Sequence, residues 1–309
     1  MSILWYFELV GVIIAGLMFF DWFCEFYYNL RAYCARKNLK QYGQGSWAII
    51  TGATDGIGLG FAKVLAKNNF NIVLVSRNPE KLASVEGEIK SYGVQTLSIS
   101  KDFSKCPENP EDFFNDIDEK TRDLDVSILV NNIGSAYAGH FHDSTPQEIS
   151  NQNALNLWPI VYLTKIFARR MLNRTPPSAI INLSSTGSLV PVSGLTVYCA
   201  GKSFDHLFTL DTNEEIRYLA KQEKLNGIHL LSLQPSFVET PLIKDFDRKP
   251  LVISPECCAE NALRVLGKVN YSSAHWKHMI YAMGYRNIPW YINARVSLKA
   301  LLKQKKRNS

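Results

Sequence analysis

The sequence predicts an α/β protein with a doubly wound parallel sheet, preceded by a membrane helix. Three observations support this prediction. Short apolar runs of strand length alternate with longer segments of helical periodicity after residue 46. A glycine-rich turn joins the first of those runs to a helical pattern. The first thirty residues are mostly apolar. We divide the chain into a membrane anchor (1–30), a linker (31–45), the sheet domain (46–285) and an amphipathic, basic C-terminal segment (286–309).

The N-terminal apolar segment is long enough to cross a bilayer. Residues 3–20 are apolar except for Glu8, and a helix over them is about 27 Å long, close to the hydrocarbon thickness. The basic residues that follow are Arg31, Arg36, Lys37 and Lys40. By the positive-inside rule they place the next domain in the cytosol. Aromatic residues such as Trp5 and Trp22 are typical of a membrane interface, so a helix that lies flat on the membrane is an alternative. We favour a helix that crosses the membrane.

Charge and cysteine content exclude several classes of protein. The net charge of +6 is concentrated after the apolar segment and at the C-terminus, with no recognisable nucleic-acid motif, so we expect no nucleic-acid partner. Six cysteines show neither C-x-x-C nor Cys/His spacing, which argues against a metal site or a disulfide framework. A reducing, cytosolic environment follows.

The first predicted strand, Trp47–Ile50, leads into the turn T-G-A-T-D-G-I-G at residues 51–58 and then into a helical pattern. Backbone N–H groups and the helix dipole at such a turn favour a pyrophosphate, as in folds of the Rossmann type. The candidate cofactor-binding residues of this turn are Gly52, Thr54, Asp55, Gly56, Ile57 and Gly58.

The second predicted strand, Asn71–Ser76, indicates which dinucleotide binds. NAD-binding folds usually have an acidic residue at its end, where this chain has Ser76 and Arg77. A guanidinium with a neighbouring hydroxyl suits a 2′-phosphate. The sequence therefore predicts NADPH/NADP as the cofactor.

A tyrosine and a lysine four residues apart provide candidate acid–base groups. Tyr198 and Lys202 share one face of a predicted helix, and a nearby positive charge is expected to lower the pKa of the phenol towards neutrality. Ser185 follows a predicted strand at 179–183, and its hydroxyl is placed to bond the same substrate oxygen. Alone, this spacing is more often an ordinary helix pair.

Together, the glycine turn and the Ser185, Tyr198 and Lys202 set resemble the short-chain dehydrogenase/reductase family over residues 46–266. The segments L-V-S-R-N (74–78), N-N-I-G (131–134) and Q-P-S-F-V-E-T (234–240) are most similar to its membrane-bound branch. That branch contains very-long-chain 3-oxoacyl-CoA reductases and 17β-hydroxysteroid dehydrogenases of types 3 and 12. This chain departs from the family pattern at Ile133, where alanine is commoner, and at Ser236, where glycine is usual.

The resemblance implies roles for further residues. Asp102 corresponds to the position that contacts adenine, and Asn131 lies in the turn that supports the sheet and approaches the cofactor. Val238 and Thr240 match positions facing the nicotinamide carboxamide. Asn156 fits the helix asparagine that holds a water for proton relay from the lysine, and Asn153 is the rival assignment.

The remaining elements are expected as follows. A long helix over 146–172 is kinked at Pro159. Residues 241–255 form a substrate lid. Further strands are expected at 97–102, 126–130, 228–233 and 279–282, a helix at 255–266, and a membrane-facing or channel-capping amphipathic segment at 289–302.

The expected activity is the NADPH-dependent reduction of a lipid ketone at the membrane of the endoplasmic reticulum. Two substrates stay open: a 3-oxoacyl-CoA of fatty-acid elongation and a 17-ketosteroid. A catalytically silent NADP-binding membrane scaffold is the alternative, and a homodimer is a further candidate assembly. The last residues, 306–309, weakly resemble a dilysine retrieval signal.

Overall fold

A computed structural model describes residues 3–241 and 249–308. Seven parallel strands form one sheet in the order β3-β2-β1-β4-β5-β6-β7. The strands are β1 (Trp47–Thr51), β2 (Asn71–Ser76), β3 (Thr96–Ser100), β4 (Val126–Asn131), β5 (Ser178–Leu183), β6 (Ile228–Leu233) and β7 (Tyr271–Ser272). The α-helices are α1 (Ile3–Cys34), α2 (Gly56–Ala66), α3 (Pro79–Lys90), α4 (Pro110–Lys120), α5 (Pro146–Asn156), α6 (Trp158–Met171), α7 (Thr196–Glu223), α8 (Pro255–Val265), α9 (Trp276–Arg286) and α10 (Trp290–Asn308).

Both faces of the sheet are covered, which explains why its strands are apolar runs without alternation. Successive residues of β1 enter different cores: Ile50 packs in the cluster that contains Phe61 of α2, and Ile49 packs in the cluster that contains Phe114 and Phe167. All five of these side chains are fully buried. The doubly wound parallel sheet predicted from the sequence is confirmed.

The strand order reverses next to β1, which pairs with β2 on one side and β4 on the other. In open parallel sheets the crevice for ligands lies at this switch point, outside the carboxyl ends of the strands. Thr51, Ser76, Asn131 and Leu183 end the strands around that crevice. The fold thereby brings together segments that are far apart in the sequence.

The helix expected over 146–172 is divided in two. Helix α5 ends at Asn156 and α6 begins at Trp158, so the interruption precedes the expected kink at Pro159. Pro159 falls in the first turn of α6, where the missing N–H has no helical partner to lose. This interruption frees the end of α5 to present Asn156 to the crevice.

The strand predicted at 279–282 is wrong, because those residues belong to helix α9. His275 caps that helix by accepting a hydrogen bond from the N–H of Lys277 at 3.2 Å. A four-residue apolar run fits either a strand or one turn of a helix, so its pattern was ambiguous. The last strand is β7, only two residues long.

Helix α1 continues to Cys34, into the part of the chain predicted to be a linker, and a short 3₁₀ helix follows at Leu39–Tyr42. Over Trp5–Cys34 it is long enough to cross a membrane, and its most apolar stretch of 18 residues has a mean hydropathy of 1.9. Its C-terminal part packs on the sheet edge: Tyr28 stacks on Tyr271 of β7, with ring centroids 4.4 Å apart.

Hydrogen bonds reinforce that packing. The Tyr28 hydroxyl accepts from the backbone N–H of Asn270 at 2.5 Å and from that of Tyr271 at 3.0 Å. Tyr271 donates its own hydroxyl to the Glu25 carboxylate at 2.8 Å. These bonds satisfy backbone groups on the edge strand, so α1 is both a candidate membrane span and part of the domain.

Two further sequence predictions concern the substrate lid and the amphipathic C-terminal segment. The expected lid at 241–255 includes residues 242–248, which lie outside them. The amphipathic segment expected at 289–302 is helical within α10, and Trp290, Ile292 and Val296 are exposed there.

Candidate active site

Ser185 and Tyr198 are brought together by the turn that follows β5. Ser185 caps a short 3₁₀ helix at residues 186–188, accepting from the N–H of Gly187 at 3.1 Å, and Tyr198 lies in the first turn of α7. A Cβ on Gly187 would lie 3.5 Å from Ser185 Oγ and 3.8 Å from Tyr198 Cε1. The Ser185 hydroxyl is near enough to the phenol to lower its pKa.

Lys202 is buried one turn after Tyr198, with its ammonium 5.9 Å from the centre of the phenol ring. The ammonium donates to the Leu183 carbonyl at 2.6 Å and to the Asp205 carboxylate at 2.9 Å. Ser184 donates its hydroxyl to the Lys202 carbonyl at 2.6 Å, which ties α7 to the end of β5. The geometry therefore fixes the lysine charge beside the phenol.

The pKa of Tyr198 moves in the direction opposite to the one expected from the sequence. Burial raises it, and this effect outweighs the Lys202 charge and the Ser185 hydroxyl, both of which lower it. The sequence shows the neighbouring cation but not the desolvation of the phenol. Tyr198 is consequently protonated at neutral pH, the form that a proton donor needs.

The side chain of Asn156, at the end of α5, lies close to the Lys202 ammonium. This side chain accepts from the N–H of Ser135 at 3.0 Å and donates to the Ser135 carbonyl at 2.9 Å. A Cβ on Gly134 would lie 2.7 Å from Asn156 Oδ1 and 3.5 Å from Lys202 Nζ, so both groups converge on this backbone. Asn153, the rival assignment, is exposed.

The glycine turn packs too tightly for side chains. Gly52 and Gly56 have φ angles of +63° and +51°, a region that favours glycine. A Cβ on Gly58 would overlap the carbonyl oxygen of Gly52 and lie 2.6 Å from Asn132 Nδ2. Asp55 caps α2 by accepting from the N–H of Gly56 at 2.7 Å, and Ile57 is half-buried. Such a turn at a helix N-terminus fits a pyrophosphate.

The end of β2 lies against this turn. The hydroxyls of Thr54 and Ser76 are 2.8 Å apart, and Arg77 is exposed directly after Ser76. Asp102 caps a short 3₁₀ helix at residues 103–105, accepting from the N–H of Ser104 at 3.1 Å. The exposed guanidinium is available to an anion beside the glycine turn.

The remaining candidate cofactor-binding residues, Val238, Thr240 and Asn131, make different kinds of contact. Val238 is buried and bridges to Ile253. Thr240 packs over the glycine turn, because a Cβ on Gly56 would lie 2.8 Å from its methyl group. The Asn131 side chain is buried and donates to Asn182 at 2.8 Å inside the sheet.

Two residues near the site were not selected from the sequence. Asn132 donates to the carbonyls of Thr51 at 2.9 Å and Gly52 at 3.3 Å, holding the strand end and the glycine turn together. Asp205 pairs with Lys202. The pairing of Asp205 with Lys202 could have been predicted from the sequence, because residues three positions apart are neighbours on a helix surface.

A parallel sheet has a glycine turn at its switch point, a serine after β5, and a tyrosine and a lysine in the first turns of α7. This arrangement defines a dinucleotide-dependent oxidoreductase. A family model for the short-chain dehydrogenases matches residues 46–250. The chain belongs to the short-chain dehydrogenase family, and it is an oxidoreductase that acts on CH–OH groups.

Its relatives include enzymes of lipid metabolism. The chain is 33% identical over 261 residues to the very-long-chain 3-oxoacyl-CoA reductase of Homo sapiens, covering 82% of this chain and 79% of the relative. It is 34% identical over 243 residues to very-long-chain 3-oxoacyl-CoA reductase-B of Danio rerio, covering 76% and 73%. A solved 7β-hydroxysteroid dehydrogenase is 26% identical, with a TM-score of 0.69, over 84% of this chain and 99% of that one.

Proposed function

We propose that this protein reduces a lipid ketone with NADPH. The observation that supports it most directly is the convergence of Ser185, Tyr198 and Lys202 beyond the carboxyl end of β5. A protonated phenol, a hydroxyl beside it and a fixed ammonium are the groups needed to stabilise and protonate a developing alkoxide.

Each of the three side chains has a separate role in this mechanism. The nicotinamide, when bound, supplies hydride to the ketone carbon. Tyr198 gives its proton to the ketone oxygen, and Ser185 donates a hydrogen bond to that oxygen. Lys202 has three N–H donors, of which Leu183 and Asp205 take two. We assign the third to the cofactor ribose.

The preference for NADPH rests on Arg77 and Ser76. Arg77 is exposed at the end of β2, beside the Thr54 and Ser76 hydroxyl pair that borders the glycine turn. A guanidinium binds a phosphate in a bidentate manner, which a ribose without its 2′-phosphate does not offer. Asp102, Val238 and Thr240 are proposed to line the cofactor, and Asn156 to hold a relay water.

A 3-oxoacyl-CoA is the substrate class that we favour. The relatives with 33% and 34% identity are 3-oxoacyl-CoA reductases. Helix α1 leaves an apolar stretch exposed before it reaches the domain, which suits an enzyme whose substrate partitions into a bilayer. We place the enzyme at the endoplasmic reticulum membrane with its domain in the cytosol, because Arg31, Arg36 and Lys37 follow the apolar stretch.

A ketosteroid is the second candidate substrate. The similarity to the solved 7β-hydroxysteroid dehydrogenase covers almost the whole of that chain. A rigid sterol and a flexible acyl chain both place an apolar body beside a reacting carbonyl. The two substrates therefore require the same catalytic groups and differ in the shape of the pocket.

Turnover by the full-length protein in detergent tests both candidates. NADPH oxidation is measured with a 3-oxoacyl-CoA of sixteen carbons or longer, and separately with estrone and androstenedione. We expect the acyl-CoA to be reduced faster, and Tyr198→Phe to lower the rate by about 10² to 10⁴ because the proton donor is lost. The matched control is Tyr218→Phe, an exposed tyrosine of the same helix, which should keep full activity.

Other outcomes have equally definite meanings. Faster reduction of the steroids would assign the second substrate class. Tight NADPH binding with no turnover of any ketone would indicate a cofactor-binding scaffold in place of an enzyme. Equal activity of Tyr198→Phe and the native protein would contradict the proposed role of the phenol.

A further inference from the structure

Asp205 is a buried carboxylate whose only side-chain partner in the described residues is Lys202. The side chain of Asp205 is fully buried, and its Oδ2 lies 2.9 Å from Lys202 Nζ. Its other oxygen, Oδ1, has no hydrogen-bond partner there. Within one turn of α7, therefore, a negative charge sits directly behind the lysine of the proposed active site.

Such a residue is costly for the fold. Removing a carboxylate from water carries a large penalty in free energy, which a single ion pair only partly offsets when one oxygen lacks a partner. An apolar side chain at this position would leave the buried Lys202 ammonium without a carboxylate partner. The acid at position 205 is therefore explained by the charge of Lys202 and not by the packing of helix α7.

The charge of Asp205 reaches the proton donor. Lys202 lowers the pKa of Tyr198, whereas Asp205 raises it, so the acid cancels part of the effect of the lysine. Burial raises the pKa of Asp205 itself to about 6, against the opposing effect of Lys202, which leaves the carboxylate ionised near neutral pH.

Besides Lys202 and Asp205, few titratable groups in the described residues affect the pKa of Tyr198. Helix α7 packs against β5, β6, α5 and the short helix at 186–188. From those elements, the Ser185 hydroxyl lowers the pKa of the phenol. On α7 itself, Cys199 raises the pKa of the phenol by more than Asp205 does, but burial raises the pKa of the Cys199 thiol to about 12, so it carries no charge at neutral pH. His206 is turned to the Ser232 hydroxyl at 2.9 Å. Lys202 and Asp205 are thus the charges that set the state of Tyr198.

We propose that Asp205 is a positioning residue that holds the Lys202 ammonium and offsets its charge, keeping Tyr198 a protonated acid into the alkaline range. This inference rests on the proposed role of Tyr198 as proton donor. The protonated phenol is the form that ketone reduction needs, whereas alcohol oxidation needs the phenolate, so Asp205 would set the pH range in which each reaction runs.

The test is the pH profile of ketone reduction for Asp205→Asn, which keeps the shape of the side chain and removes its charge. The lysine charge is then no longer offset, so the alkaline limb of the profile should move to lower pH by about one unit. The acid limb of alcohol oxidation should move the same way, since that reaction needs the phenolate. Asp205→Glu keeps the charge and should restore the native midpoints.

Controls separate this effect from damage to the fold. A merely structural defect lowers the rate at every pH and leaves both midpoints in place, and that result would overturn the inference. Asp118→Asn removes a carboxylate paired with Arg170 at 2.8 Å on a different helix, and its profile should match the native one. If Asp205→Asn does not fold, Asp205→Ser removes the same charge and leaves room for a water.

A spectroscopic titration keeps the inference independent of turnover. The phenolate absorbance of Tyr198 is obtained by subtracting Tyr198→Phe spectra, in the presence and absence of the Asp205→Asn change. We expect a lower phenol pKa without Asp205 even if no ketone is reduced, in which case only the proposed function fails. An unchanged phenol pKa refutes the role of Asp205, whatever the activity.

Discussion

The hydroxyl of Thr54 lies 2.8 Å from the hydroxyl of Ser76, so the glycine turn and the end of β2 are joined by a hydrogen bond. The turn is the site proposed for the pyrophosphate, and the end of β2 is the site proposed for the adenosine ribose. This bond fixes the distance between the two, and Arg77 comes directly after it. Recognition of the 2′-phosphate would therefore depend on the Arg77 guanidinium, with the Ser76 hydroxyl held beside it by Thr54.

Replacing Arg77 should change the choice of cofactor. Arg77→Glu removes a phosphate partner and adds a repelling charge, so we expect the KM for NADPH to rise by a factor of ten or more, roughly the value of one charge-assisted hydrogen bond, while the KM for NADH changes little. Steady-state kinetics with both cofactors measure this. Arg122→Glu, a charge reversal at an exposed site beyond α4, is the control. Equal effects on both cofactors would refute the preference for NADPH.

A methyl group at Gly58 should disrupt the dinucleotide site. In Gly58→Ala the new Cβ would overlap the backbone of Gly52, and that backbone has to shift. We expect a loss of about 1–3 kcal/mol in the free energy of unfolding, together with weak NADPH binding by fluorescence titration.

The matched control is Gly87→Ala in α3, where no atom lies within 4 Å of the added Cβ. It should gain about 0.5–1 kcal/mol, because alanine is the better helix former. Native NADPH affinity in Gly58→Ala would show that the turn tolerates a side chain and would contradict the packing described above.

Deleting residues 1–20 should release much of the protein from membranes. This removes most of the apolar stretch but keeps Glu25 and Tyr28, which contact the edge strand. A deletion through residue 30 would remove the anchor and these contacts together, so its effects would be mixed. Sedimentation with membranes after carbonate washing measures retention. Full retention of the shorter chain would assign the anchor to α10.

The buried acid should give the protein a recognisable pH dependence of stability. The pKa of Asp205 is raised from 3.8 to about 6 in the folded protein, so protonation favours the folded state. The stability from this group is present below pH 4 and is lost as the pH rises to 6.

Native protein compared with Asp205→Asn isolates this contribution. The free energy of unfolding of the native protein should fall, relative to the variant, by up to about 3 kcal/mol between pH 4 and pH 6. Denaturant unfolding of both forms in the same detergent measures the difference. A difference that does not vary with pH would mean that position 205 does not titrate in this range.

The sequence predicts the local parts of this molecule well. Strands such as Asn71–Ser76 and Ile228–Leu233 are apolar runs with clear limits. The spacing of the glycines at residues 52–58 is typical of a turn that joins a strand to a helix. The region at 279–282 was misassigned because four apolar residues do not distinguish a strand from a helical turn.

Properties that depend on desolvation or on distant contacts are not visible in the sequence. The direction of the Tyr198 pKa shift depends on burial by segments far along the chain, and the cation four residues away gives the opposite indication. The packing of Tyr28 on Tyr271 joins the two ends of the chain. Neither has a local pattern from which it could be predicted.

The hydrogen bond between Glu25 and Tyr271 spans 246 positions, so it forms only late in the synthesis of the chain. The ribosome releases the apolar helix first, whereas the two-residue strand against which it packs emerges near the end of translation. Most of the sheet is therefore synthesised before helix α1 has its partner at the sheet edge. Termination before residue 270 would leave β6 without its neighbour β7, and Tyr28 without the ring on which it stacks.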